Sequence, residues 1–269
     1  MKTPITYYGG KQSMLHIILP LIPKHEIYVE PFLGGGAVFW AKEKSPVEVI
    51  NDTNTQVVNF YRVAKVSYPA LVKEIKATLH SRLQHTQAKV VYENPEMFSP
   101  IKRAWAFWVL SCQSFGASLG SGWRYGRSAK VESLIDGKRK RFTTEIVERL
   151  ELTQIECTDA IRIIQSRDSE NTFFYCDPPY FNANMGHYAG YSLDDFRRLL
   201  EALANIKGKF LLSSYPSTLL DEYCKKYHWT TFSIPKKIRI LRGDTINKQE
   251  ILTANYPLNI DMKSPSESN

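Results

Sequence analysis

The stretch that decides the fold is Ile27-Tyr28-Val29-Glu30-Pro31-Phe32-Leu33-Gly34-Gly35-Gly36. It opens as a short apolar run, meets a proline that cannot continue a central strand, and ends in three glycines. The helix-prone residues 37–44 follow, and a second apolar run, 47–50, ends at Asn51-Asp52. Strand, glycine turn, helix and strand make a βαβ unit, whose strands lie parallel and buried. Glycine at such a turn lets backbone approach a ligand with no Cβ in the way. Asp52 stands 18 residues after Gly34, where nucleotide-binding sheets place an acid on ribose hydroxyls. Phe39 takes the place of the last glycine of a dinucleotide fingerprint. That argues against a pyrophosphate and leaves room for an adenosine ligand without phosphates. Taken alone, a tight structural turn explains the pattern about as often as a cofactor loop.

Working outward, residues 53–65 and most of 71–108 read as helices, and 144–151 as another. Residues 111–137 hold five glycines among Phe115, Trp123, Tyr125, Arg124 and Arg127, which reads as loop or hairpin. Runs at 155–157, 172–176 and 209–213 read as strands, and 193–204 as a helix. The closing pair, 230–234 and 250–256, reads as two edge strands joined by a basic stretch, 236–248. The alternation implies an α/β fold with a doubly wound, Rossmann-like sheet. The middle segment interrupts it. The expected organisation is therefore 1–67 with 152–262 as one domain, 68–151 as an inserted, mostly helical domain carrying a hairpin, and 263–269 as a polar disordered tail.

The second motif is Asp177-Pro178-Pro179-Tyr180, at the end of the apolar run 173–176. Two prolines remove two donors and force the chain out of the sheet. Asp177 then sits at the carboxyl edge, where open sheets bind ligands, with Tyr180 beside it. A carboxylate, the Pro178 carbonyl and an aromatic face suit a planar base bearing an amino group. The competing reading is a rigid turn after a strand. A third motif, Tyr7-Tyr8-Gly9-Gly10-Lys11, would alone pass for a flexible lead-in.

Charge narrows the partner. The net charge is +8 over 269 residues, and residues 99–150 alone hold ten Lys/Arg against four Asp/Glu. A concentrated basic segment fits a polyanion, a solvated basic surface being the alternative. Cys112, Cys157, Cys176 and Cys224 form no CxxC pair, so no metal site or disulfide framework is expected. The start, MKTPITYYGGKQS, lacks the apolar core of a secretory signal, and no segment has the length to span a bilayer. A cytoplasmic protein with reduced thiols is expected, not membrane-bound, and a monomer or weak dimer.

In order along the chain, Tyr7–Lys11, Glu30–Phe39, Asn51-Asp52, Phe173–Tyr180 and the closing strand make a set that resembles the Dam-type, D12 family of DNA adenine methyltransferases. The resemblance covers nearly the whole chain. It implies a methyltransferase using S-adenosyl-L-methionine on double-stranded DNA, with a central target-recognition domain where the basic segment falls. By that resemblance Tyr7, Lys11, Phe32, Gly34, Gly36, Asp52, Asp159 and Asp177 belong to the cofactor pocket. Asp177, Pro178, Pro179 and Tyr180 hold the target adenine. Lys138, Arg139, Lys140 and Arg141 are expected on phosphates, and Arg124 and Arg127 on base edges. Adenine in RNA, and a non-catalytic DNA-binding regulator keeping the fold, are the alternatives. Two departures stand out. Residues 114–128, SFGASLGSGWRYGRS, lack the Asn-Arg…Asn-Gly…Arg pattern of relatives that read GATC, and Ser213-Ser214-Tyr215 stands where relatives often have Ser-Asn.

Overall fold

A computed structural model describes residues 1–126, 130–181, 190–239 and 245–258, with backbone alone for 130–132, 236–239 and 245–248. In chain order the elements are α1 (Leu15–Ile18), β1 (Ile27–Glu30), α2 (Ala37–Ala41), β2 (Val47–Asn51), α3 (Thr55–Val66), α4 (Tyr68–Lys76), α5 (Arg82–Glu93) and α6 (Pro100–Gln113). There follow α7 (Lys130–Lys140), α8 (Glu145–Leu150), β3 (Gln154–Glu156), α9 (Ala160–Arg167), β4 (Thr172–Cys176) and α10 (Leu193–Ala204). The chain closes with β5 (Lys209–Ser214), α11 (Thr218–Tyr227), β6 (Thr230–Arg239) and β7 (Thr245–Ala254).

The strands form one sheet in the order β3-β2-β1-β4-β5-β7-β6. The first five are parallel, and β7 joins β5 and β6 antiparallel. Strand order reverses between β1 and β4, and the crevice beyond their carboxyl ends is where such sheets take ligands. Both faces are covered, as a parallel sheet requires. Tyr28, Ile50, Phe173, Tyr175 and Leu211 pack against the helices from α2 to α8. Val29, Val49, Phe174, Phe210 and Leu212 alternate with them onto α9, α10 and α11. Beneath the first face α6 is buried all round from Ala104 to Gln113, with Phe107, Trp108, Val109 and Leu110 fully buried, as befits a helix enclosed by others. The helices between β2 and β3 share one continuous core with that face of the sheet.

Several elements differ from the sequence reading. Of the closing pair β6 is an edge and β7 is internal, with Leu252, Thr253 and Ala254 all buried. The stretch read as loop from 111 to 137 yields its first residues to α6 and its last to α7. The helix α7 has one glycine, formers such as Lys, Glu, Leu and Ile, and Asp136 paired to Arg139 and Lys140 at helical spacing. Among the described residues the expected hairpin is represented by one antiparallel bridge, Ser114 to Trp123, with a 3-10 turn between them that holds Gly116 at φ +64°. α2 stops at Ala41, where Lys42 turns extended. The polar tail 263–269 lies outside the described residues. Among the described residues no helix is long and apolar enough to cross a membrane.

Candidate active site

The glycine turn is built from strand ends. Asn51 donates to the Pro31 and Thr158 carbonyls at 2.9 and 3.0 Å and accepts from the Thr158 N–H at 3.0 Å. It thereby ties together the chain leaving β1, β2 and β3. The turn adopts left-handed backbone at Gly34 (φ +48°) and Gly36 (φ +62°). A Cβ on Gly34 would stand 2.9 Å from the Tyr7 ring, and one on Gly35 2.9 Å from the Tyr7 Cβ, so bare backbone is needed there. Asp52 is half-buried. Its Oδ2 accepts the Gly34 N–H and its Oδ1 the Asn54 N–H, each at 2.8 Å. Burial pushes its carboxyl upward against those two bonds. Each oxygen keeps a lone pair for a hydroxyl, so the carboxylate and the side-chain-free turn fit a ribose-bearing ligand without phosphates. Phe32 is half-buried and meets Tyr191 edge-on at 6.3 Å. Asp159 is exposed and caps α9, accepting from the N–H groups of Ile161 and Arg162.

Glu30, read only as part of the motif, is buried under the turn. Its Oε2 accepts from the Tyr28 hydroxyl at 2.6 Å and from the Phe39 N–H at 3.1 Å. Burial pushes its carboxyl up to about 8, against the pull of the Tyr28 hydrogen bond.

At the end of β4 the backbone leaves the sheet through Pro178, which is buried, and Pro179, which is half-buried. Lys11, itself buried, donates to both oxygens of Asp177 at 2.7 and 2.8 Å, to the Gly9 carbonyl at 3.1 Å, and lies 3.2 Å from Glu250 Oε1. Burial disfavours the Lys11 ammonium, and Asp177 and Glu250 together outweigh it, holding its pKa above the ordinary lysine value. Burial and then Glu250 push Asp177 upward against the attraction of Lys11, since two carboxylates face one ammonium. The Tyr180 hydroxyl donates to Glu250 Oε1 at 2.6 Å and lies 3.2 Å from both Asp177 Oδ1 and Ser213 Oγ. Tyr215 packs on the Tyr180 ring at 4.4 Å between centroids. A crevice lined by Pro179, Tyr180, Phe181, Phe196, Ser214 and Tyr215 adjoins them. The structure thus brings Tyr7, Lys11, Gly34 and Asp52 into one chain of contacts with Asp177 and Tyr180. Sequence reasoning missed Glu250, whose signal is a carboxylate heading a run, 250–254, that reads as buried strand.

The basic segment is less uniform than its sequence. Arg139 turns inward to the Thr78 carbonyl, and Lys138 is half-buried, its pKa lowered by burial. Lys140 is exposed but paired with Asp136, and the exposed Arg141 donates to the Gly137 carbonyl. Arg124 is half-buried, its backbone N–H bonded to the Gln113 carbonyl at 2.7 Å and its guanidinium 3.5 Å from the Cys112 carbonyl. Its neighbours Trp123 and Tyr125 stack at 5.9 Å, with Arg82 over both rings. Arg127 lies outside the described residues.

The chain is similar to known proteins throughout its length. It is 26% identical to the type II methyltransferase M.FokI of Planomicrobium okeanokoites over 95% of this chain, spanning 43% of that protein. It is 24% identical to the DNA adenine methylase of Salmonella typhi over 94% of each chain. It is 26% identical to the DNA N-6-adenine-methyltransferase of Escherichia phage P1 over 70% of this chain and 25% of that one. Residues 7–240, which take in the Tyr7–Lys11 segment, the glycine turn and the Asp177–Tyr180 tetrapeptide, match the family model of the D12 class. The chain belongs to the D12 class N6 adenine-specific DNA methyltransferases.

Proposed function

We propose that this chain transfers a methyl group from S-adenosylmethionine directly to N6 of an adenine flipped out of double-stranded DNA. One observation carries the reading. The single segment from Tyr7 to Lys11 packs the Tyr7 ring on Gly34 and the Tyr7 Cβ on Gly35, and its last ammonium on Asp177, so the glycine turn and the tetrapeptide belong to one site. Methyltransferases of this kind use S-adenosylmethionine, which when bound supplies an electrophilic methyl group on a sulfonium. Asp52 holds the ribose hydroxyls, the Gly34–Gly36 backbone admits the ligand, and Tyr7, Lys11, Phe32 and Asp159 complete the pocket.

The adenine amine is a poor nucleophile because its lone pair is delocalised into the ring. Asp177 and the Pro178 carbonyl accept its two N–H bonds, which favours a more tetrahedral nitrogen. Lys11 takes one lone pair from each Asp177 oxygen and leaves a second on each for the amine. Positioning supplies much of the remaining barrier reduction. A stacked base cannot reach such a site, and flipping it costs a few kcal/mol. Stacking on Tyr180 returns about 1–3 kcal/mol. In this reading 1–67 and 152–262 form the catalytic part and 68–151 the target-recognition part. Arg124, Arg127 and the exposed end of the basic run, Lys140 and Arg141, lie on DNA, and the enzyme works in the cytoplasm on duplex DNA. Tritium transfer from labelled cofactor to duplex DNA and to folded RNA, with wild type and Asp177→Ala, tests it. Duplex DNA alone is expected to be labelled, and only by wild type. Equal labelling of RNA, or wild-type labelling by a folded Asp177→Ala protein, sinks the reading.

A further inference from the structure

We propose that Glu250 is a positioning residue for methyl transfer: it fixes the Tyr180 ring through its hydroxyl and shares the Lys11 ammonium, so that Asp177 stays open to the target amine. The proposal rests on the methyltransferase reading above. Glu250 is fully buried on β7, and a carboxylate there survives only if its oxygens are bonded. Its Oε1 gathers donors from three other parts of the chain. They are Tyr180 at 2.6 Å from the tetrapeptide, Ser213 at 2.8 Å from β5, and Lys11 at 3.2 Å from the amino-terminal segment.

A tyrosine hydroxyl has one proton. The shorter bond assigns it to Glu250, which leaves the 3.2 Å contact between Tyr180 and Asp177 without a proton of its own while Asp177 is ionised. The ring is therefore tethered from β7 rather than from the carboxylate that must meet the substrate. The ammonium is likewise divided. With Glu250 present, Lys11 does not neutralise Asp177 alone, and the cluster keeps a net negative charge where positive charge develops on the adenine nitrogen. The groups facing Asp177 are Lys11, Glu250 and Tyr180, with Glu30, Tyr175 and Cys176 behind them on β1 and β4.

The test compares wild type, Glu250→Gln, Tyr180→Phe and the double variant. Labelled methyl transfer to plasmid DNA lacking adenine methylation gives kcat and both KM values across pH. Carboxylate 13C NMR of the cofactor-free proteins follows Asp177. Glu250→Gln keeps an acceptor for Tyr180 but loses the charge, so kcat is expected to fall about 5- to 10-fold, the gap between a hydrogen bond to a charged group and one to a neutral group, with both KM values little changed. Loss of the second negative charge leaves Lys11 to Asp177, so the acid limb of kcat and the Asp177 NMR midpoint both move to lower pH. Tyr180→Phe, which loses the bond outright, is expected to lower kcat about 10- to 100-fold, and the double variant no more than the worse single one. Unchanged kcat in Glu250→Gln, additive losses, or a lower kcat with an unmoved Asp177 midpoint would overturn the proposal. Should Glu250→Gln not fold, wild-type kcat in Tyr180→Phe overturns it. Wild-type protein inactive on DNA would overturn the functional reading instead, and the NMR midpoint would still decide whether Glu250 governs Asp177.

Discussion

Gly34→Ala probes the link between the two motifs, and its cost can be worked from the geometry. Gly34 sits at φ +48°, a conformation that costs an alanine about 1–2 kcal/mol. The new Cβ would stand 2.9 Å from Tyr7 Cδ1 and 3.0 Å from Cε1, inside contact distance. If the ring is held, that overpacking costs about 1–3 kcal/mol more. If it gives way, the segment carrying Lys11 shifts and the 2.7 Å pair with Asp177 opens. Tyr7 also packs on Phe107 at 6.4 Å, so the ring does not move without disturbing α6. The expected outcome is a stability loss of roughly 2–5 kcal/mol with a rigid ring, or a smaller loss with cofactor affinity down by about 10-fold or more when the ring moves. Urea denaturation and calorimetric titration of S-adenosylmethionine separate the two. Gly120→Ala is the control: a Cβ there meets nothing within 4 Å, and no loss is expected. A Gly34→Ala protein with both stability and cofactor affinity at the Gly120→Ala level would refute the reasoning.

Three further outcomes are expected. Glu30 has a folded pKa near 8 against an ordinary 4.5, so the folded state holds a proton that the unfolded chain has lost between those values. Its contribution is complete below about pH 4.5 and is lost as pH rises toward 8; Glu30→Gln, which can still accept from Tyr28 and Phe39, should flatten the fall in denaturation midpoint across that window. Arg149 joins both oxygens of the buried Glu48 and the Phe39 carbonyl, and Lys42 pairs with the same carboxylate, so Arg149→Met should cost about 1.5–3 kcal/mol in urea denaturation, the scale of lost hydrogen bonds to a charged group whose other partner remains. Neutralising Lys140 and Arg141, which are exposed, should flatten the salt dependence of DNA affinity by about 0.9 per lost phosphate contact. Arg139→Ala should chiefly lower thermal stability, because its guanidinium is bonded inward to Thr78.

The strands beside the site are legible in the sequence because proline marks where two of them stop: β1 ends before Pro31 and β4 before Pro178. Asp52 and Asp177 follow from position alone, each being the first residue past a strand. What a linear reading loses is whatever depends on lateral order. Nothing in the run 250–254 says that β7 slips between β5 and β6, and only that placement sets Glu250 against Tyr180 and Ser213. The basic run 138–141 misleads for a related reason. Charge is visible in sequence, but whether a guanidinium faces solvent or a carbonyl is settled by the helix phase, which turns Arg139 inward and Lys140 out. α9 and α11 are short amphipathic helices whose apolar faces take shape only against the sheet.

Because β7 is threaded between β5 and β6, the ammonium near one end of the sequence and the carboxylate near the other meet only when the last strand is in place. The Tyr256 hydroxyl, bonded to the Leu21 carbonyl at 2.8 Å, closes the same long span. Such a closure carries a large entropic cost before any contact rewards it, so it is a late event in assembly. A ribosome adds residues at about 5–20 per second. For that whole time the growing chain can hold its glycine turn and its tetrapeptide without the carboxylate that tethers the Tyr180 hydroxyl. A nascent or cleaved chain short of residue 250 thus lacks the strand that anchors Tyr180 and shares Lys11, and full activity is expected only with a finished sheet.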